Sequence, residues 1–352
     1  MTLGVHSTIP GSDVMGPNPF RPSSYGLSDM LMITFLDFIA NSKIVTIKSI
    51  HPSLTIPVST SVSQILDCIQ ANPNKLEFHL QLFLFPYAVL CAMPTAVLYK
   101  IRRRNRNAAQ RDYTAARLSA WVSNKYQVMG ELLSHPEAPV YPVQAAFGFR
   151  PPHSVLSNLR RAEKLVREDG QFGKAVKTLQ SKGLAPINEE TKRLLQQEKH
   201  PAAPPPPQIP LSSSSSRESA PPGLIGFTVS AKQVLKQLQS FPKGTACGKS
   251  GWRVVHYIHL FTVQRFSLAF TSLVNIFLMG LCDPSVSAQL YVSGNLIPLL
   301  KKDVDVRNIR PIVVGEVFRR LVSKLCTKQV AKDASAFLQP LQFGVGIRSP
   351  MA

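Results

Sequence analysis

The chain has 352 residues, 44% of them hydrophobic, and 40 Lys/Arg against 20 Asp/Glu give a formal net charge of +20. That length holds one large or two modest domains with a real core, and that charge favours nucleic acid or another polyanion as partner while leaving the fold open. Cys68, Cys91, Cys247, Cys282 and Cys326 stand far apart, odd in number and never as C-x-x-C, which argues against a disulfide scaffold or a cysteine zinc site and for a reducing, intracellular setting.

Residues 1–28 are rich in Pro, Gly and Ser, which predicts disorder, and Pro10, Gly11, Pro17, Pro19 and Pro22 without a basic stretch do not read as a secretory signal. Met30 to Ala40 predicts a short buried helix and Ser61 to Ala71 another; together with the leading residues they make a variable region over 1–75. The next unit, 76–111, joins an apolar segment to a basic arm. Leu80 to Tyr99 carries no charge and is followed by Lys100, Arg102, Arg103, Arg104, Arg106 and Arg111 with no intervening acid. Read alone, this is a transmembrane helix with a positive flank, so a membrane-associated interaction protein anchored by 80–99 stands as the alternative reading. Pro86, Pro94, Gln81 and Thr95 oppose it. The basic arm has the composition of a nuclear localisation signal or a phosphate-binding segment.

Residues 112–200 predict helices. Tyr113, Ala116, Leu118, Trp121 and Val122 form one apolar face; Val155, Leu159, Ala162, Leu165 and Val166 a second; Ala175, Val176 and Leu179 a third. Gly170 and Gly183 are placed as C-terminal stops, and Asn188 as the N-cap of a helix over Glu189 to Lys199. Residues 201–222, with Pro204 to Pro207 and Ser212 to Ser216, supply too little apolar surface to offset chain ordering and predict a linker between domains.

The last unit, 223–352, opens with a predicted helix over Val229 to Leu238 and a loop from Phe241 to Arg253. Gly248-Lys249-Ser250 is not a phosphate loop, because Lys243 stands where that motif needs glycine and no strand precedes it. Amphipathic helices follow over 254–282, where His256 and His259 have no third ligand or nearby carboxylate. Leu296 to Leu300 and Ile309 to Gly315 are short apolar runs rich in branched residues, which predicts a strand hairpin with Lys301, Lys302, Arg307 and Arg310 at its tip. Pro311 cannot donate to a ladder, so the second strand lies at an edge or starts near it. From Glu316 the period changes to three and four, through Phe318, Leu321, Val322, Leu325, Ala334, Phe337 and Leu338, and Arg320, Lys324, Lys328 and Lys332 line up four apart beside that face.

Several of these runs together resemble the reverse transcriptase of non-LTR retrotransposons. They are Phe85-Pro86 with the basic arm, Arg160 to Pro186, Phe241 to Gly248, Leu296-Ile-Pro-Leu-Leu-Lys-Lys-Asp303, Arg310-Pro-Ile-Val-Val-Gly-Glu316, Arg319 to Lys324 and Gln342 to Gly346. The resemblance implies an α+β fold: a mostly helical N-terminal region, then the fingers part of the polymerase with its hairpin and flanking helices. It places Lys301, Lys302, Arg310, Arg319 and Arg320 near template and nucleotide. Val304 replaces the family glycine, and Asn308-Ile309 separate Arg307 from Arg310-Pro311, so either Arg307 or Arg310 holds the phosphate-contacting place. The family binds Mg2+ through palm aspartates that lie beyond Ala352 in register, and Asp303, Asp305, Glu316 and Asp333 have no matching partners. The expectation is therefore sequence-independent binding of RNA or DNA without polymerisation, and no cofactor in this chain.

Overall fold

The computed structural model describes residues 27–42, 45–134, 155–167, 172–180, 185, 188–199, 227–242, 244–300 and 309–338. Among these the fold is α+β, mostly helical, with one two-stranded antiparallel sheet.

Helix α1 (Asp29–Asn41) starts at Ser28, whose hydroxyl accepts the Leu31 N–H. Phe35 and Ile39 are buried, whereas Met30 is 79% and Ile33 60% exposed, so the helix lies on the surface rather than inside. Helix α2 (Thr55–Ala71) begins earlier than its periodicity predicts. Its first two turns, Thr-Ile-Pro-Val-Ser-Thr-Ser-Val, are rich in Ser, Thr and β-branched residues, poor helix formers in isolation, with Pro57 in the first turn, where it is tolerated. Burial of Val58, Val62, Ile65, Leu66 and Ile69 on one side outweighs that preference.

Helix α3 (Leu76–Ala88) explains the uncharged run: Leu80, Leu84, Phe85 and Ala88 are fully buried, and the residues between them are nearly so. A helix apolar all round sits inside a core. Its polar residues are paired, with the Glu77 carboxylate accepting from Gln81 Nε2 at 3.2 Å and from the Tyr126 hydroxyl, and His79 held between Tyr291 Oη and the Pro73 carbonyl, both at 2.8 Å. The helix stops at Ala88, and no described helix is long and apolar enough to cross a membrane.

Helix α4 (Thr95–Lys100) leads through a 3-10 turn (Arg103–Asn105) into α5 (Arg106–Ser134). Helix α5 breaks at Asn124, where φ is −157° and ψ is 83°, and the Asn124 carboxamide restarts it by accepting the Gln127 N–H at 3.1 Å. Trp121 is buried against Phe85, their rings edge to face at 5.3 Å, in the core role expected of it. Helices α6 (Val155–Arg167) and α7 (Phe172–Gln180) pair with each other. Helix α8 (Glu189–Arg193), capped by Asn188, widens into a π-helical segment over Leu194–Lys199.

Helix α9 (Ala231–Gln239) carries a capping box between Ser230 and Gln233. Helices α10 (Val254–Leu260), α11 (Gln264–Leu278) and α12 (Pro284–Leu290) complete the layer that packs on α2 and α3. One hydrophobic core runs through residues from Phe35 to Leu132 and from Val229 to Leu325. The predicted linker, 201–222, lies outside the described residues, but the chain on either side of it shares this core. Trp252 marks the join: its ring stacks on Phe85 at 5.9 Å, and its indole N–H donates to the Leu82 carbonyl at 2.9 Å.

Strands β1 (Gly294–Leu300) and β2 (Ile309–Gly315) pair antiparallel from Gly294↔Gly315 to Leu300↔Ile309, as the sequence predicts. Pro298 faces Pro311. The Pro298 carbonyl points away from β2, because it accepts the Ala185 N–H at 3.1 Å. In an antiparallel ladder a residue's N–H and C=O point the same way, so neither proline removes a bond between the strands. Leu296, Leu300 and Ile309 pack with Ala185, Leu194 and Leu195 as a small second core. Helix α13 (Val317–Leu338) follows β2 directly and buries Phe318, Leu321 and Leu325.

Candidate nucleic-acid interface

Residues 301–308, and with them the sequence-predicted Lys301, Lys302 and Arg307, lie outside the described residues. Arg310 is exposed on β2, opposite Leu299. Arg319 is exposed at the start of α13 and donates to the Val292 carbonyl at 3.2 Å.

The four cations spaced along α13 are not equivalent. Arg320 is half-buried and donates to the carbonyls of Ala246 and Glu316. Lys324 donates to Ser240 Oγ at 2.9 Å and lies 4.3 Å from the Phe241 ring centroid. Both clamp the 240–250 loop to the helix. Lys328 is exposed, and Lys332 falls one turn beyond it on the same helix. Four-residue spacing identifies a shared side of a helix but cannot say which cations the protein uses for itself.

A contact the periodicity gave no sign of ties the junction of β2 and α13 to the 240–250 loop. Glu316, between β2 and α13, is 2% exposed. Its Oε1 accepts the Ser250 N–H at 2.8 Å and its Oε2 accepts the Ser250 hydroxyl at 2.6 Å. Burial raises the Glu316 pKa, against the lowering effect of the Ser250 hydrogen bonds and of Arg320. A Cβ on Gly248 would come within 2.5 Å of the Glu316 carboxylate and 2.7 Å of its Cα, so glycine is required for close approach rather than for cradling phosphate. The Lys249 ammonium is used within the protein, donating to the Ala40 carbonyl at 2.6 Å. His256 is buried, bonded to the Ile47 carbonyl at 2.8 Å, and desolvation pushes its pKa down to about 4.

The second basic element is the arm. Lys100, Arg102, Arg103 and Arg104 are exposed. Arg106 donates from Nε to the Ile101 carbonyl at 3.2 Å and lies 5.7 Å from the Tyr99 ring centroid. Arg111 pairs with Asp112 at 2.7 Å. Among the described residues no carboxylate lies within ion-pair distance of Lys100 through Arg106, so their charge faces solvent. A cleft of about 340 Å³ at the α5 break, lined by Gln64, Cys68, Trp121, Asn124 and Lys125, gathers no acid and base poised against a common point. Among the described residues no cluster of three His, Cys, Asp or Glu could hold a metal ion.

Comparison with protein-family models, curated proteins and solved structures finds no match.

Proposed function

We propose that this chain is a nucleic-acid-binding part of a non-LTR retrotransposon reverse transcriptase, holding the fingers hairpin and the helical region before it, and that it does not polymerise by itself. The observation that carries the reading is the hairpin followed without a loop by α13, with Arg310, Arg319 and Lys328 exposed along it. The order of elements is the one implied by the resemblance. Two-metal nucleotidyl transfer needs carboxylates free to hold two ions on the reaction path, and Glu316 instead spends both oxygens on Ser250.

Binding is sequence-independent and electrostatic. Each phosphate contact adds roughly 0.7 to the log–log salt slope on a single strand, so six contacts lose about 2.5 log units of affinity between ~50 and ~200 mM salt. The test is that slope, with Arg310→Ala/Lys328→Ala as the variant, since neither side chain is bonded within the described protein. A flatter slope is expected. An unchanged slope would remove the hairpin and helix from the interface. In parallel, incorporation on a primed RNA template with magnesium or manganese should be undetectable. Sustained extension by the purified chain would overturn the second half of the proposal.

A further inference from the structure

We infer that Tyr99 is a stacking platform for an unpaired base, which makes single-stranded RNA or DNA the preferred ligand of the arm; the inference rests on the nucleic-acid reading above. The tyrosines divide sharply. Tyr87, Tyr257 and Tyr291 are buried, and Tyr113 and Tyr126 are half-buried with their hydroxyls against Cys91 and Glu77. Tyr99 alone among the described tyrosines is outside, 74% exposed.

Scattered exposed hydrophobics are ordinary, and Phe172 is 67% exposed as well, so exposure alone assigns Tyr99 no role. Its surroundings do. The ring sits on the last turn of α4, two residues after Val97, itself 46% exposed, and the exposed cations Lys100, Arg102, Arg103 and Arg104 follow it within five positions of chain. Arg106 is anchored by its bond to the Ile101 carbonyl and lies near the ring, leaving most of the Tyr99 surface open. No acid occurs between Glu77 and Asp112 to oppose the field.

An open aromatic face beside a run of cations is the combination that single strands recognise. The cations follow the phosphates, and a base whose π-face is not already stacked settles on the ring. A duplex offers phosphates but no free base face, so it engages the cations without the ring. The arm therefore discriminates single strand from duplex, which charge alone does not do.

The experiment compares fluorescein-labelled oligothymidylate with a labelled duplex, by anisotropy, on the full chain. Tyr99→Ala should weaken single-strand binding about tenfold and leave duplex binding within about twofold. Tyr99→Phe keeps the ring and should bind both ligands like wild type. Because the side chain is exposed, the variants should melt with the wild-type protein, which circular dichroism checks. Wild-type single-strand affinity retained in Tyr99→Ala, or an equal loss on both ligands, would overturn the stacking role while leaving salt-dependent binding in place. Absence of salt-dependent binding by the wild type would bring down the nucleic-acid reading and this inference together.

Discussion

Two buried ionisable side chains, Glu316 and His256, give the molecule opposing responses to pH. Burial raises the Glu316 pKa above its ordinary 4.5, so the folded state holds that proton where the unfolded chain has lost it. Stability from this group is complete below about pH 4.5 and is lost as pH rises through the raised value. Burial lowers His256 from 6.5 to about 4, so the unfolded chain takes up a proton that the folded state refuses. Stability linked to His256 is present above pH 6.5 and lost as pH falls towards about 4, by roughly 3 kcal/mol at most. Glu316→Gln keeps an acceptor for the Ser250 N–H and removes the charge. Its melting temperature should exceed that of wild type near neutral pH, with the gap closing towards about pH 4. His256→Gln should flatten the fall in melting temperature on the acid side. A constant offset between Glu316→Gln and wild type at every pH would show that Glu316 does not titrate with folding.

At the scale of elements, the break in α5 is held by one side chain. Asn124 leaves helical geometry and caps the following turn through its bond to Gln127, so Asn124→Ala should cost about 1 kcal/mol. Thermal unfolding reads this out; a variant at least as stable as wild type would mean that packing alone sets the break. The break also illustrates what could be read from the sequence. Ser123-Asn124-Lys125 is polar in a helical period and reads as a solvated face, since a cap is recognised only when the helix is known to restart there. The hairpin and α13 were legible because the period switches from two to three and four within a few residues, and apolar runs of that length have few other readings. The start of α2 was not legible, because Ser and Thr weaken the local preference and only the partner surface restores it. The uncharged 80–99 run was ambiguous for a related reason: a helix buried on all sides and a membrane span share a composition, and length separates them only once the stop at Ala88 is seen. Glu316 and Ser250 lie 66 positions apart, and no local pattern joins them. The basic arm was visible from charge alone, but the exposure of Tyr99 was not, since an isolated aromatic beside a helix is ordinarily core.

Across the whole molecule, the Pro/Ser-rich run does not divide the core. Residues before it and after it bury one another, and the polar contacts between them are specific. Trp252 Nε1 bonds to Leu82, Tyr87 to Lys249, His256 to Ile47 and Tyr291 to His79. Removing residues 1–222 would strip these partners and open the apolar sides of α10 and α11 that pack on α2, and of α12 that packs on α3. Four buried groups left unpaired cost about 1–3 kcal/mol each, which is comparable with the whole stability of a typical domain, about 5–15 kcal/mol. Residues 223–352 expressed alone should therefore show helical circular dichroism without a cooperative melt and should bind a hydrophobic dye, whereas the full chain should unfold its shared core in one transition. The hairpin is a poor rescue for the fragment. Its small core depends on Ala185, Leu194 and Leu195 from the deleted part, and without the Ala185 N–H the outer edge of β1 is left open to pairing with other chains. Aggregation through that edge is the expected failure at high concentration. A sharp, reversible melt of the monomeric fragment would show that the C-terminal part folds independently, and the contacts with α2 and α3 would then be docking between two domains rather than one core.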